Sequence, residues 1–524
     1  MEINTGPKDF SNKHVMLFLE TQDNPFYYQY IYAICKEIMS SGGYLQVVTI
    51  AESFELHKIR SLLRYLRRKR ALIALERDMA ATFPKVKHEY ESSNLNVEVK
   101  ERAKSALHGL KLVGQLSDVL PKYQFLGPSL HSLCTSAFTM SSDPLAKISK
   151  YRTLLERACA KYIWHLDIAQ KYIENYSPDV IIFLNGRTPE QAAFKEIAEN
   201  LDIPWLALEH GAKPGKTYFL ENFQTQDRLK TQELIKDSWR RLNPQELEQV
   251  LLETEMWIHK QSSDRNQNPT LGLRDFTVND LDVSQSIFPI FTSSIDEEMS
   301  CPNWSEDNVR SLTRRSILLS EIAIKNGLVP VVVLHPNTLN KRWHDLSLVY
   351  SELSKKNLSI SLPWSAISSY EYLERSNLVA TWRSTIGLEG ILRNKPLILL
   401  SDSVYDELVS FSSFERINQA KSKKPRVEEI DRKFAKLAIN YYLNFGYDLL
   451  ANLDSDDLIK INKYEKILPL GGLIPSIRNK IRKFLRPLKV YGATPREVFD
   501  FLSYLMPRKA VESVMIFLIR HYRY

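Results

Sequence analysis

Residues 377–390, with the sequence NLVATWRSTIGLEG, determine how the second half of the chain folds. The segment begins as an apolar strand and runs directly into a helix whose first residues are Ser384 and Thr385. A strand that enters a helix in this way is typical of a β/α unit, and repeated β/α units form a parallel sheet. The stretch therefore predicts part of a doubly wound sheet.

The same alternation extends on both sides of this stretch. Further strands are predicted at 287–292, 329–334, 358–360 and 396–400, with helices at 309–326, 344–356, 366–375 and 385–393. An earlier series has strands at 14–20, 44–50, 179–184 and 204–208, with helices at 25–41 and 189–200. The fold class is therefore α/β, with two Rossmann-like doubly wound halves. No GxGxxG turn follows the first strand, which disfavours a simple dinucleotide dehydrogenase.

Two Rossmann-like halves in a chain of this size suit, by fold analogy, a GT-B glycosyltransferase. On that analogy we predict three parts. Residues 1–260 form an acceptor half with a helical insertion at about 51–176, residues 283–455 form a nucleotide-sugar donor half, and residues 456–524 form a basic helical tail.

Composition excludes several classes of protein. The 524 residues are 44% hydrophobic and 25% charged, which is typical of a globular chain and not of a disordered one. Four widely spaced cysteines without a CxxC pair disfavour a disulfide scaffold or a zinc ribbon, and fit a reducing compartment. We expect neither a signal peptide nor a transmembrane helix, and therefore a cytoplasmic protein.

Polar or ionisable side chains follow five of the predicted strands. Ligands of open α/β sheets bind beyond the carboxyl ends of the strands, so these positions are candidate site residues. They are Asn185 and Arg187, Glu209 and His210, Asp296, His335 and Asn337, and the group from Arg383 to Glu389. A single polar residue in such a loop is usually a turn former or a cap, and it is the joint placement that indicates function.

The helix start at Ser384 and Thr385 predicts phosphate binding. Free backbone N–H groups at a helix N-terminus bind anions, and Arg383 adds positive charge. The alternative is simple N-capping by either hydroxyl. Glu389 is placed to accept hydrogen bonds from ribose hydroxyls, or is instead an acid of the first turn that the helix dipole favours.

These motifs, in the same linear order over 179–400, resemble the bacterial capsule polysaccharide biosynthesis family, whose GT-B enzymes include retaining β-Kdo transferases. The resemblance implies a CMP-activated acidic sugar as donor, no metal ion and no other cofactor. It assigns Glu209, Asp296 and His335 to the catalytic motifs, and the donor-binding motif to Ser384, Thr385, Gly387 and Glu389. His210 stands where related sequences often have Asp, and Trp382 and Arg383 are additions to the pattern.

Displacing a nucleotide at an anomeric carbon requires a carboxylate as nucleophile or base, and positive charge near the leaving phosphate. We predict Asp296 as the nucleophile and Glu209 as the base for the acceptor hydroxyl. His335 and Arg383 would neutralise the leaving phosphate, with Asn337 also on the donor side. Asn185, Arg187 and His210 are predicted on the acceptor side. The structural alternatives are an N-cap role for Asp296 and a carbonyl-bonded histidine at 335.

Two other motifs are weaker. Residues 211–217 (GAKPGKT) resemble a P-loop but have one residue too few between the glycines. Asp454-Ser-Asp456 resembles the metal-binding triplet of other glycosyltransferases, but it does not follow a strand, so helix capping is predicted there.

The C-terminal segment has a different character. Residues 471–524 hold 11 Lys and Arg against 3 Asp and Glu, which accounts for the whole net charge of +8. Within it, residues 474–489 (IPSIRNKIRKFLRPLK) form a basic amphipathic pattern, which predicts docking on an anionic membrane surface. We expect this surface to be the cytoplasmic face of the inner membrane. The alternative is a packed helix with a solvated basic face. Because the rest of the chain is neutral, we expect no nucleic-acid partner.

The sequence thus predicts a glycosyltransferase of bacterial surface polysaccharide, acting on a nucleotide sugar and a glycan or lipid-linked acceptor. Three alternatives remain at this point: a GT-B transferase that uses a UDP or GDP sugar, a non-catalytic binding protein of polysaccharide export, and a twin-Rossmann epimerase.

Overall fold

Two β-sheets, each in its own α/β unit, organise the chain in a computed structural model. The structure describes residues 9–20, 25–51, 74, 77–78, 81–82, 87–92, 95–108, 152–186, 188–210, 216–224, 227–263, 287–293, 309–335, 338, 343–363, 368–406, 427–444, 447–448, 453–457 and 515–516. The first unit comprises Met1–Ala137, Lys147–Thr225 and Leu443–Leu488. The second comprises Phe138–Ala146, Gln226–Tyr442 and Lys489–Tyr524.

The first unit contains a seven-stranded sheet. Its strands are β1 (His14–Glu20), β2 (Tyr44–Ala51), β3 (Lys87–Ser92), β4 (Val180–Leu184), β5 (Trp205–His210), β6 (Lys216–Glu221) and β12 (Tyr447–Asp448). Its helices are α1 (Pro25–Ser40), α2 (Val97–His108), α3 (Arg152–Tyr176) and α4 (Pro189–Asn200). The strands β3-β2-β1-β4-β5 are parallel, and β6 and then β12 extend the sheet in antiparallel pairings.

The second unit contains a five-stranded, fully parallel sheet with the order β11-β10-β7-β8-β9. Its strands are β7 (Ile287–Phe291), β8 (Val329–Val333), β9 (Ser359–Ser361), β10 (Val379–Thr381) and β11 (Leu397–Leu399). Its helices are α5 (Arg228–Arg240), α6 (Pro244–Ser263), α7 (Val309–Lys325), α8 (Trp343–Ser354), α9 (Ser369–Glu374), α10 (Ile386–Leu392) and α11 (Glu429–Asn444).

Both sheets contain the Rossmann strand order 3-2-1-4-5, counted within each unit. The central strands are short, almost entirely apolar runs, such as VIIFL in β4 and VPVVV in β8, because helices cover both faces of a parallel sheet. The prediction of two Rossmann-like halves, the architecture of the GT-B class, is therefore confirmed. None of the described helices is long and apolar enough to cross a membrane.

The two units differ from the predicted parts of the chain in three places. The insertion predicted as helical at 51–176 contains β3, which pairs in parallel with β2 over six residues. The predicted donor half at 283–455 ends too late, because residues from Leu443 onwards group with the first unit. There β12 pairs with β6, and Leu453 lies in the same apolar core as β1 and α1. The predicted tail at 456–524 is divided as well, since Met515 is fully buried in the core of the second unit.

Polar side chains of α1 bind the segment 453–457, which belongs to the first unit although it follows the second unit in the sequence. The Tyr32 hydroxyl donates to Oδ1 of the buried Asp457 at 2.8 Å, and Lys36 pairs with Asp457 and, at 3.0 Å, with Asp454. Oδ1 of Asp454 accepts the backbone N–H of Asp457 at 2.9 Å, so the predicted capping role of this motif is confirmed. Asp457 raises the pKa of Lys36 above its usual value.

We expect Asp457→Asn to destabilise the first unit. The substitution keeps the shape of the side chain but removes the charge that offsets Lys36, and a charge-assisted hydrogen bond in a buried site contributes about 1.5–3 kcal/mol. Scanning calorimetry should show a lower melting temperature for Asp457→Asn and no change for the exposed neighbour Asp456→Asn. Equal effects of the two substitutions would contradict this role of Asp457.

Candidate functional site

The strand order of the second sheet has a topological switch point at its carboxyl edge. The chain leaves β7 for β8 on one side and returns to β10 on the other, so the loops after β7 and β10 diverge at this point. In open α/β sheets this topological switch point is where ligands bind. The described residues there are Thr292 and Ser293 after β7, and Trp382, Arg383 and Ser384 after β10.

Backbone and hydroxyl hydrogen bonds hold these two strand ends together. The Trp382 N–H donates to the Phe291 carbonyl at 2.9 Å, and the Arg383 N–H donates to the Ser293 hydroxyl at 3.3 Å. The Thr381 hydroxyl donates to the Phe291 carbonyl at 3.2 Å and accepts the Ser384 N–H at 3.0 Å. The hydrogen bonds to the end of β7 therefore fix the backbone of Arg383 and Ser384, the two site residues predicted here.

Arg383 is the most unusual group at this edge. Its side chain is buried, with 7% exposure for the residue, and its Nη2 donates to the hydroxyl of Ser401 at 2.7 Å. Burial lowers the pKa of the guanidinium to about 10, with Asp402 opposing the shift and Arg228 adding to it. The lowered pKa means that the surroundings disfavour the positive charge. A bound anion would offset that penalty.

The loop after β11 completes this edge. The Tyr405 hydroxyl donates to the Ser384 carbonyl at 2.6 Å, and the Ser403 hydroxyl donates to the Arg383 carbonyl at 3.4 Å. Asp406 accepts the Ser403 N–H at 3.1 Å, which fixes the turn.

Helix α5 supports this loop from outside the sheet. Arg228 pairs with Asp406 at 2.7 Å, and the Gln232 side-chain amide donates to the Ser403 carbonyl at 3.0 Å. Sequence reasoning missed the contribution of this loop and of α5. The polar run Ser401-Asp-Ser-Val-Tyr-Asp406, directly after the last apolar strand, was the signal for the loop.

The hydroxyls at the start of α10 make few local contacts. Thr385 occupies the N-cap position with helical φ and ψ of −58° and −18°, and its exposed side chain makes no capping hydrogen bond within the described part of the chain. The Ser384 hydroxyl accepts the Ile386 N–H at 3.5 Å, a long hydrogen bond. N-capping therefore explains the Thr385 hydroxyl poorly.

Glu389, predicted to bind ribose, is buried and has protein partners. Arg393 lies 3.7 Å from its Oε2, and the Tyr370 hydroxyl hydrogen-bonds to the carboxylate. Burial raises the pKa of Glu389 above its usual value, while Arg393 and Tyr370 oppose the shift. A ribose hydroxyl would compete with these two side chains.

Gly387 permits the close approach of α10 to the sheet and the loop after β11. A Cβ at this position would lie 2.8 Å from the Tyr405 hydroxyl oxygen and 2.9 Å from Cδ2 of Leu397. Its role in the structure is therefore packing: it lets Tyr405 reach the Ser384 carbonyl.

His335 lies at the same carboxyl edge, one strand away. Its backbone N–H donates to the Thr292 hydroxyl at 2.8 Å, so the end of β8 is tied to the end of β7. The side chain is half-buried. The predicted donor-side residues His335, Arg383 and Ser384 thus share one edge of one sheet.

In the first unit, Asn185 and Glu209 share the carboxyl edge of neighbouring strands. The Asn185 N–H donates to the Leu208 carbonyl at 3.0 Å, and Asn185 adopts a positive φ of 25°. Glu209 is half-buried and lies opposite Tyr218. The predicted strand at 204–208 is too short, because β5 continues through Glu209 and His210 in pairing with β6.

Three predicted site residues, Arg187, Asp296 and Asn337, lie outside the described residues, as does the P-loop-like stretch 211–215.

No known family model matches the chain, and no curated protein matches it. Solved structures with a similar fold include the β-Kdo 2,4 transferase KpsC of Thermosulfurimonas dismutans, at 14% identity and a TM-score of 0.34, which covers 49% of this chain and 78% of that one. They also include the UDP-GlcNAc 2-epimerase of Neisseria meningitidis bound to UDP-GlcNAc, at 13% identity and a TM-score of 0.28. That match covers 82% of this chain and 99% of the epimerase chain. A putative UDP-N-acetylglucosamine 2-epimerase of Listeria monocytogenes has 11% identity and a TM-score of 0.30. The match covers 83% of this chain and 93% of that one. Overlaps of this size assign no activity.

The close approach at Gly387 gives a matched pair of substitutions. Gly387→Ala should destabilise the second unit by about 1–3 kcal/mol, because the added methyl group collides with Tyr405 and Leu397. Gly390→Ala on the same helix meets only side-chain atoms at 3.4 Å or more, and should be neutral or stabilising by up to about 1 kcal/mol. Thermal unfolding of both variants tests this, and equal effects would show that α10 is free to shift.

Proposed function

We propose that the protein is a glycosyltransferase of bacterial surface polysaccharide synthesis, which transfers a sugar from a nucleotide-activated donor to a glycan or lipid-linked acceptor. The observation that carries this proposal is the buried Arg383 at the switch point of the second sheet, in surroundings that disfavour its charge. A phosphate-bearing ligand at this edge supplies the compensating negative charge.

The donor we propose is a CMP-linked acidic sugar, such as Kdo. The support is the order of motifs along 179–400 and the placement of two of their residues, His335 and Ser384, on one sheet edge together with Arg383. A CMP-linked acidic sugar carries two anionic groups, a phosphate and a carboxylate. Arg383 would hold the phosphate, and the Ser293 and Ser384 hydroxyls would add hydrogen bonds.

The proposed reaction proceeds in two displacements and uses no metal ion. Asp296 attacks the anomeric carbon, the bond from that carbon to the phosphate oxygen breaks, and the nucleotide leaves with the bonding electrons while Arg383 and His335 stabilise its charge. Glu209 then takes the proton of the acceptor hydroxyl, whose oxygen attacks the same carbon and releases the Asp296 carboxylate. Two inversions give net retention.

Nucleotide binding tests the role of Arg383. Of CMP, CDP, UDP and GDP, we expect CMP to raise the melting temperature of the chain most, since a ligand that binds only the native state stabilises it by about 2.7 kcal/mol at 100 times its Kd. Arg383→Met should weaken this binding by about tenfold to a hundredfold, the effect of losing a charged hydrogen bond.

The control is Arg393→Met, which removes a second buried arginine at the other end of α10. Both variants are expected to be less stable, but only Arg383→Met should lose the response to CMP. A larger response to UDP or GDP identifies the alternative donor. Stabilisation by none of the nucleotides would contradict the proposal and favour a non-catalytic binding protein.

We also propose that residues 474–489 dock the enzyme on an anionic membrane, near a lipid-linked acceptor. This segment lies outside the described residues, and its sequence alone supports the proposal. It carries six basic and no acidic side chains: Arg478, Lys480, Arg482, Lys483, Arg486 and Lys489. Each basic residue near an anionic surface contributes about 1 kcal/mol.

Liposome flotation tests the docking segment. Because Met515 is buried in the second core, truncation before it would damage the fold, and charge substitution is the better experiment. The chain should float with anionic vesicles at low salt and less at high salt, and the variant with all six basic residues changed to Gln should not float. The control changes six exposed basic residues elsewhere to Gln, namely Lys104, Arg152, Lys230, Arg240, Lys355 and Lys356. Flotation that survives the first change, or is lost in the control, contradicts a dedicated docking segment.

A further inference from the structure

The first sheet has a topological switch point of its own, between β1 and β4. The chain leaves β1 for β2 on one side and, after β3, returns to β4 on the other side of β1. Ligands of open α/β sheets bind at such a point, beyond the carboxyl ends of the strands. The loop after β4 borders it and begins with Asn185 and Gly186, just before Thr188, the N-cap of α4.

Two buried glutamines hold the peptide groups on either side of Gly186. Gln191 on α4 has 1% exposure, and its Oε1 accepts the Gly186 N–H at 2.8 Å. Gln224, three residues beyond β6, has 6% exposure, and its Nε2 donates to the Gly186 carbonyl at 2.5 Å. The first peptide group joins Gly186 to Asn185 and the second joins it to Arg187, both predicted on the acceptor side. The two glutamines therefore fix the orientation of both peptide groups.

The backbone of this loop requires such support. Asn185 and Gly186 have positive φ values of 25° and 73°, and the Gly186 N–H also faces the Leu184 carbonyl across the tight turn. A non-glycine residue keeps such a φ only where its surroundings enforce it, and such residues cluster at ligand sites. A Cβ on Gly186 would lie 3.1 Å from Nε2 of Gln224 and 3.2 Å from Cε2 of Phe183. The Gln224 amide thus reaches the loop because residue 186 has no side chain.

Gln191 departs from the usual role of its position. Thr188 and Gln191 match a capping box, in which the glutamine side chain accepts the N–H of the cap residue. The Thr188 hydroxyl does accept the Gln191 N–H, at 3.2 Å. The Gln191 Oε1, however, accepts the N–H of Gly186, two residues before the cap. This side chain therefore supports the loop after β4.

A buried ion pair fixes the turn of α4 that carries Gln191. Glu190 is buried and pairs with Lys161 of α3 at 3.1 Å. Burial disfavours the charge of Glu190, but Lys161 and His165 outweigh that effect and lower the pKa of Glu190 below its usual value. The first turn of α4 is thus attached to α3, and Gln191 has a fixed place from which to hold the loop.

We propose that Gln191 and Gln224 are positioning residues for the acceptor, which hold the loop after β4 in the conformation that binds the acceptor sugar. The inference rests on the proposed function, in which this edge of the first sheet is the acceptor side. Binding groups act well only when supporting hydrogen bonds fix their position. Loss of either bond lets the loop leave its strained conformation, so the acceptor binds more weakly. Donor binding, at the second sheet, is unaffected.

Acceptor kinetics test the role of the two glutamines. With saturating CMP-Kdo and varied lipid-linked glycan, Gln191→Leu and Gln224→Leu should each raise the acceptor KM about tenfold, the effect of one lost hydrogen bond, and change kcat by less than about twofold. CMP should raise their melting temperatures as before. The control is Gln46→Leu, at a buried glutamine near the amino end of β2 in the same unit, which should leave the acceptor KM unchanged.

A second pair of variants distinguishes hydrogen bonding from packing. A carboxylate can accept the Gly186 N–H in place of Gln191, but it cannot donate to the Gly186 carbonyl in place of Gln224. At pH 8, Gln191→Glu should therefore keep the acceptor KM within about threefold of the unsubstituted value. Gln224→Glu should raise it at least as much as Gln224→Leu does. A merely structural role would lower the melting temperatures without this difference. If a Leu variant does not fold, the Glu pair provides the comparison.

Hydrogen exchange measures the loop without any transfer reaction. The peptide that covers residues 183–190 should exchange about tenfold faster in Gln191→Leu and Gln224→Leu than in the unsubstituted chain or Gln46→Leu. Unchanged exchange, faster exchange with an unchanged acceptor KM, or a raised KM in Gln46→Leu overturns this inference and leaves the proposed function standing. No transfer by the unsubstituted chain overturns the proposed function, and the positioning role with it.

Discussion

The burial of one positive charge, on Arg383, constrains the carboxyl edge of the second sheet more than any other interaction there. Taking a guanidinium group out of water is unfavourable, and burial lowers the pKa of Arg383 while Asp402 opposes the shift. Hydroxyl groups on two loops nevertheless hold the residue in place: Ser401 bonds the side chain and Ser293 the backbone. This buried cation at a topological switch point is the basis of the proposed phosphate site.

The same constraint explains the surrounding architecture. The loop after β11 must lie close to Ser384, and Tyr405 reaches it only because residue 387 has no side chain. The pair Arg228–Asp406 fixes the loop from α5, and Arg228 adds positive charge near Arg383. The first unit places polar residues at its own carboxyl edge through the same strand order, with Asn185 bonded to β5 beside Glu209. In both units, strand order brings together residues that are distant in the sequence.

Much of the fold follows from sequence because central parallel strands are short apolar runs between helices. VIIFL and VPVVV are recognisable without a structure. Helices between strands, such as α4 and α7, have amphipathic patterns. The missed strand β3 reads KHEYES; it is at the edge of the sheet, where polar side chains are favoured, and only its pairing with β2 makes it a strand. The return of the chain at β12 was missed for a similar reason, since its two residues carry no pattern of their own.

The candidate site was predictable to a smaller degree. The rule that ligands bind beyond strand ends identified His335, Arg383 and Ser384, which share an edge in the structure. It could not identify the support from α5, because Gln232 and Ser403 are 171 residues apart in sequence.

The central claim is that the chain transfers a sugar from a nucleotide donor. The most direct test is to incubate it with CMP-Kdo and a lipid-linked glycan acceptor in the presence of EDTA, and to measure released CMP together with the mass of the acceptor. The account predicts one CMP released for each sugar gained by the acceptor, and loss of both in Asp296→Asn and Glu209→Gln while CMP still raises the melting temperature. Transfer that persists at the original rate in Asp296→Asn, or no transfer from any nucleotide sugar by a chain that binds CMP, would contradict it.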